Sequence, residues 1–65
     1  MDKQLYLAAR DGKLAEVRRL LGAGAGTGWR GGNNDTPLHE ASVRGHTDVV
    51  SALIHAGADV HAAGR

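Results

Sequence analysis

The two halves of the sequence repeat one another, and this internal period limits the possible folds more than any other feature. Aligned without gaps, residues 1–32 and 34–65 share ten identical residues out of 32. The identical pairs are Asp2/Asp35, Leu5/Leu38, Ala8/Ala41, Gly12/Gly45, Val17/Val50, Leu20/Leu53, Ala23/Ala56, Gly24/Gly57, Ala25/Ala58 and Gly31/Gly64. Nearly all are small or apolar, which indicates structural units that pack against one another. A period of about this length is typical of stacked units that each contain a β-turn and two short helices.

Length and composition agree with a small helical stack. A chain of 65 residues forms one domain and buries only about 60% of its unfolded surface, so its stability should be marginal. The absence of cysteine excludes disulfides, thiolate metal sites and thiol nucleophiles. With no Phe, one Trp and one Tyr, the core must consist of Ala, Leu and Val, which favours closely stacked helices over a sandwich or barrel.

The charge balance excludes some classes of partner. Eight Lys and Arg against seven Asp and Glu leave a net charge of +1, too small to capture nucleic acid or an anionic membrane. No apolar stretch is long enough for a signal peptide or a membrane span. We therefore expect a cytoplasmic or nuclear protein that is not secreted and has neither a nucleic-acid nor a membrane partner.

The apolar pattern of the first unit predicts two short helices. Over residues 3–10, Leu5, Ala8 and Ala9 share one helical face. Gly12 follows this helix, at a place where glycine suits the left-handed conformation that ends helices. A second helix is predicted over residues 14–21, with an apolar stripe of Leu14, Val17, Leu20 and Leu21.

The second unit predicts two further helices. Thr36 can cap a helix that begins at Pro37, because the first helical position needs no backbone N–H, and this helix extends to about residue 43. Thr47 and Asp48 are both candidates to cap the following helix. The stripe expected to be buried in that last helix consists of Val49, Val50, Leu53 and Ile54.

Residues 22–34 predict a loop between the two units. They include six glycines, and each glycine inside a helix costs about 1 kcal/mol relative to alanine. The stretch Gly26-Thr27-Gly28-Trp29-Arg30-Gly31 satisfies the dinucleotide fingerprint G-x-G-x-x-G. That fingerprint requires a preceding strand and a following helix, whereas this stretch follows a predicted helix and continues into more loop. We interpret it as a chance match, and no cofactor is expected.

Metal binding and catalysis are both disfavoured. The four histidines, His39, His46, His55 and His61, are too far apart in sequence for two of them to share one helical turn. Ser42 and Ser51 lie near histidines in the sequence, but Ser42 is expected on the packed face of its helix and Ser51 on an exposed face. Neither has an evident oxyanion site. The sequence predicts no metal site, no catalytic residue and no enzyme activity.

Three motifs at consistent spacing carry a family resemblance. Thr36-Pro37-Leu38-His39, Gly45-His46 and Gly57-Ala58-Asp59-Val60 resemble the ankyrin repeat over residues 36–62. Residues 5–29 resemble a second, degenerate repeat. The resemblance implies an all-α fold, a stack of helix-turn-helix repeats with β-hairpin or loop fingers. We divide the chain into a capping-like repeat at 1–33 and a near-consensus repeat at 34–65.

Departures from the family pattern concentrate in the first repeat. Lys3-Gln4-Leu5-Tyr6 stands in place of Thr-Pro-Leu-His, and Glu16 stands where an apolar residue is usual. Polar substitutions at one end suit a capping repeat, because its outer face meets water. At the other end, Val49 and Ile54 are expected to lack a neighbour on one side. This predicts that the chain is part of a longer array or self-associates through its second repeat.

The resemblance also implies a function. Ankyrin repeats bind proteins through their finger tips and through the concave face formed by the first helices. In this chain, the corresponding candidates are Trp29, Arg30, Asn33 and Asp35 on the finger, and Arg10, Asp11, Val43 and Arg44 along the first helices. We expect a non-catalytic protein-interaction module or scaffold. The alternative is a structural unit that caps or extends a longer solenoid without a ligand of its own.

Trp29 is the candidate with two competing interpretations. A lone Trp in a glycine-rich finger can cover the adjacent repeat, or it can protrude as an anchor for a partner, since Trp is enriched at binding hot spots. The sequence leaves both interpretations open.

Overall fold

A computed structural model describes residues 1–31 and 34–57 of the chain. It contains four helices: α1 at Asp2–Arg10, α2 at Leu14–Gly22, α3 at Pro37–Val43 and α4 at Thr47–His55. No residue in these two ranges lies in a β-strand. The predicted all-α class is confirmed, and the helix boundaries agree closely with those expected from the apolar periodicity.

The four helices form two pairs that stack side by side. Helix α1 packs against α2 within the first unit, and α3 packs against α4 within the second. Between the units, α1 packs against α3 and α2 against α4. The same turn joins the helices of each pair: the Lys13 N–H donates to the Ala8 carbonyl, and at the equivalent place in the second unit the His46 N–H donates to the Ala41 carbonyl.

The core lies between the four helices and follows the internal period. Leu5 and Leu38 are both buried, as are Leu20 and Leu53. The remaining buried hydrophobic residues are Ala8, Ala9, Val17, Ala25, Ala41 and Val49, with Leu14, Leu21, Val50 and Ala52 packed against them. Within the described residues this core contains no aromatic ring, as the composition predicts.

Helix α4 differs from its predicted pattern at two residues. Val49 was expected to lack a neighbour on one side, but it is fully buried, on the helix that packs against α2 of the first unit. Ile54 was assigned to the buried stripe but was also expected to lack a neighbour on one side, and its exposure of 42% agrees with the second expectation only. The helical periodicity places both residues near the edges of the stripe, and only the direction of the neighbouring unit decides which edge is covered.

The predicted helix caps are partly correct. Thr36 caps α3, with its Oγ1 accepting the His39 backbone N–H at 3.2 Å. In contrast, the cap position of α4 is His46, and this residue makes no side-chain capping bond. Thr47 is already the first helical residue, and its hydroxyl lies 3.4 Å from the Gly45 carbonyl. Asp48 lies within the first turn, where its Oδ1 accepts the Val49 N–H.

A histidine joins the two units. The Nε2 atom of His46 lies 3.0 Å from the carbonyl oxygen of Arg10, and because a carbonyl can only accept, Nε2 carries the proton. The ring covers Gly12, where the Cβ of any larger residue would lie 2.6 Å from the His46 ring. Gly12 also has a φ of +72°, so both the turn and the histidine contact favour glycine here.

Candidate protein-interaction face

The glycine-rich loop between the two units, which we call the finger, lies against helix α1 of its own unit through residues 26–31. The rings of Tyr6 and Trp29 meet edge to face, with centroids 5.2 Å apart and an interplanar angle of 64°. The backbone of Gly31 also lies against Tyr6, because a Cβ at this glycine would be 2.6 Å from the Tyr6 Cζ. Trp29 is half-buried: it packs on Tyr6 and remains partly open to solvent.

Hydrogen bonds hold the finger at both ends. At its start, Asp2 Oδ1 accepts the Gly26 N–H at 2.8 Å. At its end, Arg30 Nη1 donates to the Asn34 carbonyl at 2.9 Å, and the Gly31 N–H donates to the Asp35 carbonyl at 2.8 Å. Asn34 adopts a φ of 65°, which asparagine tolerates better than most residues with a side chain. These contacts anchor a loop whose composition alone suggests a soft connection.

Two arginine–carboxylate pairs lie next to the aromatic pair. Arg10 Nε donates to Asp11 Oδ1 at 3.1 Å at the end of α1, and Arg44 Nε donates to Glu40 Oε1 at 3.0 Å on α3. The hydrogen bond from Arg10, assisted by the charges of Arg10, Lys13 and Arg44, lowers the pKa of the Asp11 carboxyl. These contacts show that α1 and α3 present their charged residues side by side.

Tyr6 connects the charged residues with the finger. Burial raises the pKa of its phenol, and the negative charges of Glu40 and Asp35 raise it further, against the smaller opposing effects of Arg10 and Arg44. The Tyr6 ring therefore lies between the finger and the facing charges of α1 and α3. We call this surface the finger face and define it by Tyr6, Arg10, Trp29, Arg30, Glu40 and Arg44.

The structure distributes the eight candidate residues unevenly. Arg30, Asp11, Val43 and Arg44 are exposed, while Arg10 and Trp29 are half-buried. Asp35 differs from the expectation of a surface contact: it is only 6% exposed, and its Oδ1 lies 3.3 Å from His39 Nε2. It therefore supports the start of α3 from inside. Asn33 lies outside the described residues.

Sequence reasoning missed Tyr6 and Glu40 as members of this face. A signal for Tyr6 was present, because the internal period pairs it with His39 and it stands one helical turn before Arg10. Glu40 could have been found as the i,i+4 partner of Arg44 on a helix. Tyr6 was noted only as a departure from the repeat pattern, and its place on this face became visible through its contact with Trp29.

The alternative chemistries gain no geometric support. Among residues 1–31 and 34–57, no cluster of three or more His, Cys, Asp or Glu side chains could hold a metal ion. The G-x-G-x-x-G stretch follows α2 and does not open a helix, so it lacks the context of a dinucleotide site. Ser42 is exposed, contrary to the packed position predicted for it. In the described part of the chain, no helix has the length and apolar character needed to cross a membrane.

The fold and its period define a class, the helix-turn-helix repeat proteins, in which stacked helix pairs present loops along one edge. Residues 33–65 match the family model described as ankyrin repeat. The chain belongs to the ankyrin repeat family.

Several known proteins are similar to most of the chain. Ankyrin repeat domain-containing protein 49 from Homo sapiens is 48% identical over 59 residues, which is 89% of this chain and 25% of that protein. A histone-lysine N-methyltransferase from Homo sapiens is 38% identical over 60 residues, 89% of this chain and 5% of the enzyme. A probable E3 ubiquitin-protein ligase from Oryza sativa is 45% identical over 62 residues, 91% of this chain and 12% of that protein. The chain thus spans a quarter or less of these relatives.

Proposed function

We propose that this chain is a non-catalytic protein-interaction module that binds another protein through the finger face. The observation that carries the proposal is the position of Trp29, anchored on Tyr6 and partly open to solvent beside exposed arginines. Trp, Tyr and Arg dominate binding energy at protein interfaces, and a side chain held in place loses less entropy on binding.

The similar proteins agree with a binding role. One is described as a methyltransferase and another as a probable ubiquitin ligase, yet both contain a segment similar to this chain that makes up only 5% and 12% of their lengths. A segment shared by proteins of such different activity fits an adaptor better than a catalytic centre. The partner is then a protein, and the cytoplasmic or nuclear location remains a prediction.

Selection from a displayed random-peptide library tests this function. We expect peptides selected on the intact chain to lose at least about tenfold in affinity when Trp29→Ala removes the anchor. The Trp29→Phe variant is the matched control, because it keeps a ring against Tyr6 and should retain the fold and most of the binding. Thermal unfolding followed by circular dichroism checks that both variants are folded. Selected peptides that bind Trp29→Ala as tightly as the parent chain would contradict the proposal.

A second function, extension of a longer stack, is favoured by the contrast between the two end surfaces. The outer face of the first unit has a shallow hollow bordered by four polar side chains, Gln4, Asp11, Lys13 and Glu16, together with Leu7 and Ala8. The hollow on the outer face of the second unit, about 230 Å³ in volume, is lined by Ala41, Ser42, Gly45, Thr47 and Val50, none of them charged. We therefore retain the division into a capping-like repeat at 1–33 and a stacking repeat at 34–65.

The internal sequence period suggests that the uncharged hollow suits a further helical unit. The residues of the hollow are the counterparts of Ala8, Ala9, Gly12, Leu14 and Val17, of which Gly12 meets His46 of the second unit and the others belong to the core or pack against it. Exposed Ser42 lies in the hollow, whereas exposed Ser51 does not line it. If the second unit self-associates here, Ser42→Glu should abolish concentration-dependent association in analytical ultracentrifugation, and Ser51→Glu should not. A parent chain that remains monomeric at all concentrations would exclude self-association.

A further inference from the structure

The finger face contains hydrogen-bond donors that the described parts of the chain leave unused. Arg10 and Arg44 each donate through Nε alone, so the terminal amino groups of both guanidinium ions have no partner among residues 1–31 and 34–57. Within the same ranges, the Tyr6 hydroxyl and the Trp29 indole N–H also make no hydrogen bond. The open polar groups of this surface are thus mainly donors.

Arg19, on α2, shows the opposite arrangement. It donates to Glu16 through both Nε and Nη2, so a carboxylate of the same helix already fills its fork. The terminal amino groups of Arg10 and of Arg44 could each donate two hydrogen bonds to one carboxylate. That carboxylate would have to come from outside residues 1–31 and 34–57. Paired N–H groups in a planar fork match a carboxylate in both spacing and charge.

Of the two paired carboxylates, Asp11 is 43% exposed beside an Arg10 that is 40% exposed, so it offsets its partner, whereas Glu40 leaves Arg44 the more exposed charge. The side chain of Arg44 is 53% exposed, whereas that of its partner Glu40 is only 13% exposed. The guanidinium therefore lies outward and the carboxylate inward. Arg30 adds a second exposed cation beside Trp29, while Arg10 is half-buried. The surface open to a ligand therefore consists of guanidinium groups around the Tyr6–Trp29 aromatic pair.

We infer that the finger face binds an acidic peptide segment, with carboxylates chelated by Arg10 and Arg44 and an apolar side chain against Tyr6 and Trp29. The inference rests on the proposed interaction function and specifies its partner. A nucleic-acid backbone fits less well, because Glu40 in the face and Asp11 beside Arg10 would repel closely spaced phosphates. Separate carboxylates on a peptide can approach the forks and avoid these side chains.

A pair of synthetic peptides tests the inference on the intact chain. The first is a capped decapeptide that alternates Glu with Leu and Ser, and the second replaces every Glu by Gln. The chain has a single Trp, so Trp29 fluorescence reports binding at the face itself. We expect the Glu peptide to bind at least about tenfold more tightly than the Gln peptide, and its affinity to fall as salt is added.

Substitutions at three arginines locate the binding site. Arg10→Gln and Arg44→Gln should each weaken the Glu peptide about tenfold, and Arg44→Lys should also weaken it because an ammonium ion cannot form a fork. Arg19→Gln is the matched control: it removes one exposed, carboxylate-paired arginine from α2 and should leave affinity unchanged. Circular dichroism confirms folding of all four variants.

Four results would overturn the inference. Two concern the ligand: equal affinity for the Glu and Gln peptides, or tighter binding of a single-stranded DNA decamer than of the Glu peptide. Two concern the variants: unchanged affinity for the Glu peptide in Arg10→Gln and Arg44→Gln, or a loss of affinity in Arg19→Gln as large as that in Arg44→Gln. Different results decide whether the proposed interaction function itself holds. Library peptides that need Trp29 but lack acidic residues and ignore both arginine substitutions would refute the acidic partner and keep the interaction module. Peptides that do not need Trp29 would refute the module itself.

Discussion

The contact between His46 and Gly12 is the most specific single link between the two units. The period places Lys13 at the position of His46 in the first unit, so only the second unit supplies a histidine to its predecessor. The ring bonds to the Arg10 carbonyl, which lies near the end of α1 and has no helical partner. The link therefore satisfies an unpaired carbonyl and fixes the spacing of the units.

Two glycines with the same backbone conformation allow this link to be measured. Gly12 and Gly45 have φ values of +72° and +77°, so Gly→Ala should cost about 1–2 kcal/mol at either position. At Gly45 the added methyl group meets nothing within 4 Å, whereas at Gly12 it would meet the His46 ring. We predict that Gly12→Ala lowers the free energy of unfolding in urea by about 1 kcal/mol or more beyond Gly45→Ala.

The His46→Ala background provides the control for the glycine comparison. Without the imidazole ring, Gly12→Ala and Gly45→Ala should cost nearly the same, because only backbone strain remains. If the two glycine substitutions lower the free energy of unfolding equally in the parent chain, the His46 ring moves aside at no cost in free energy. That result would contradict the prediction.

At the scale of the helices, the structure distinguishes two threonines that are both candidate caps in the sequence, Thr36 at the start of α3 and Thr47 at the start of α4. Thr36 accepts the His39 N–H, but Thr47 accepts no N–H from the first turn of α4. We predict that Thr36→Ala lowers the free energy of unfolding by about 1 kcal/mol. Thr47→Ala, the same chemical change, should cost less than about 0.5 kcal/mol. Urea titrations of both variants measure this difference, and a larger loss from Thr47→Ala would contradict the assignment of the caps.

The sequence predicted the helices well because their signals are local. Apolar spacing, Pro37 and the turn glycines act within a few residues, so the order and bounds of all four helices could be derived from them. The errors occurred where packing decides. Val49 is buried in the helix that packs against the first unit, and periodicity alone does not show this. Asp35 is buried beside His39 of its own unit, a local polar contact that the apolar pattern does not reveal.

The candidate site shows the same division. Family resemblance located Trp29, Arg30 and the arginines of the first helices, but not the ring on which Trp29 packs. Tyr6 and Trp29 are separated by most of the first unit in the sequence, and their contact depends on how the glycine-rich finger folds back along α1. Glycine-rich segments have weak local preferences, so the anchoring bonds from Asp2 and Arg30 could not be predicted.

At the scale of the whole molecule, two carboxyl groups and one phenol make the free energy of unfolding depend on pH. Hydrogen bonds from Arg10 and Arg19 lower the pKa values of Asp11 and Glu16, respectively. Their contribution to stability is present above the ordinary carboxyl pKa values and is lost as the pH falls through the lowered ones. Burial raises the pKa of Tyr6, so its contribution is complete below the ordinary value of 10.0 and is lost as the pH rises through the raised one.

We therefore predict that these three groups support stability between about pH 5 and pH 9, with a loss on either side. Tyr6→Phe cannot ionise, so it should reduce the alkaline loss and leave the acid loss unchanged. Asp11→Asn combined with Glu16→Gln should reduce the acid loss and leave the alkaline loss unchanged. Urea unfolding of the parent chain and both variants across this range measures the two effects separately. An alkaline loss of the same size in Tyr6→Phe would mean that a group other than the partly buried phenol causes that loss. The environment assigned to Tyr6 on the finger face would then be wrong.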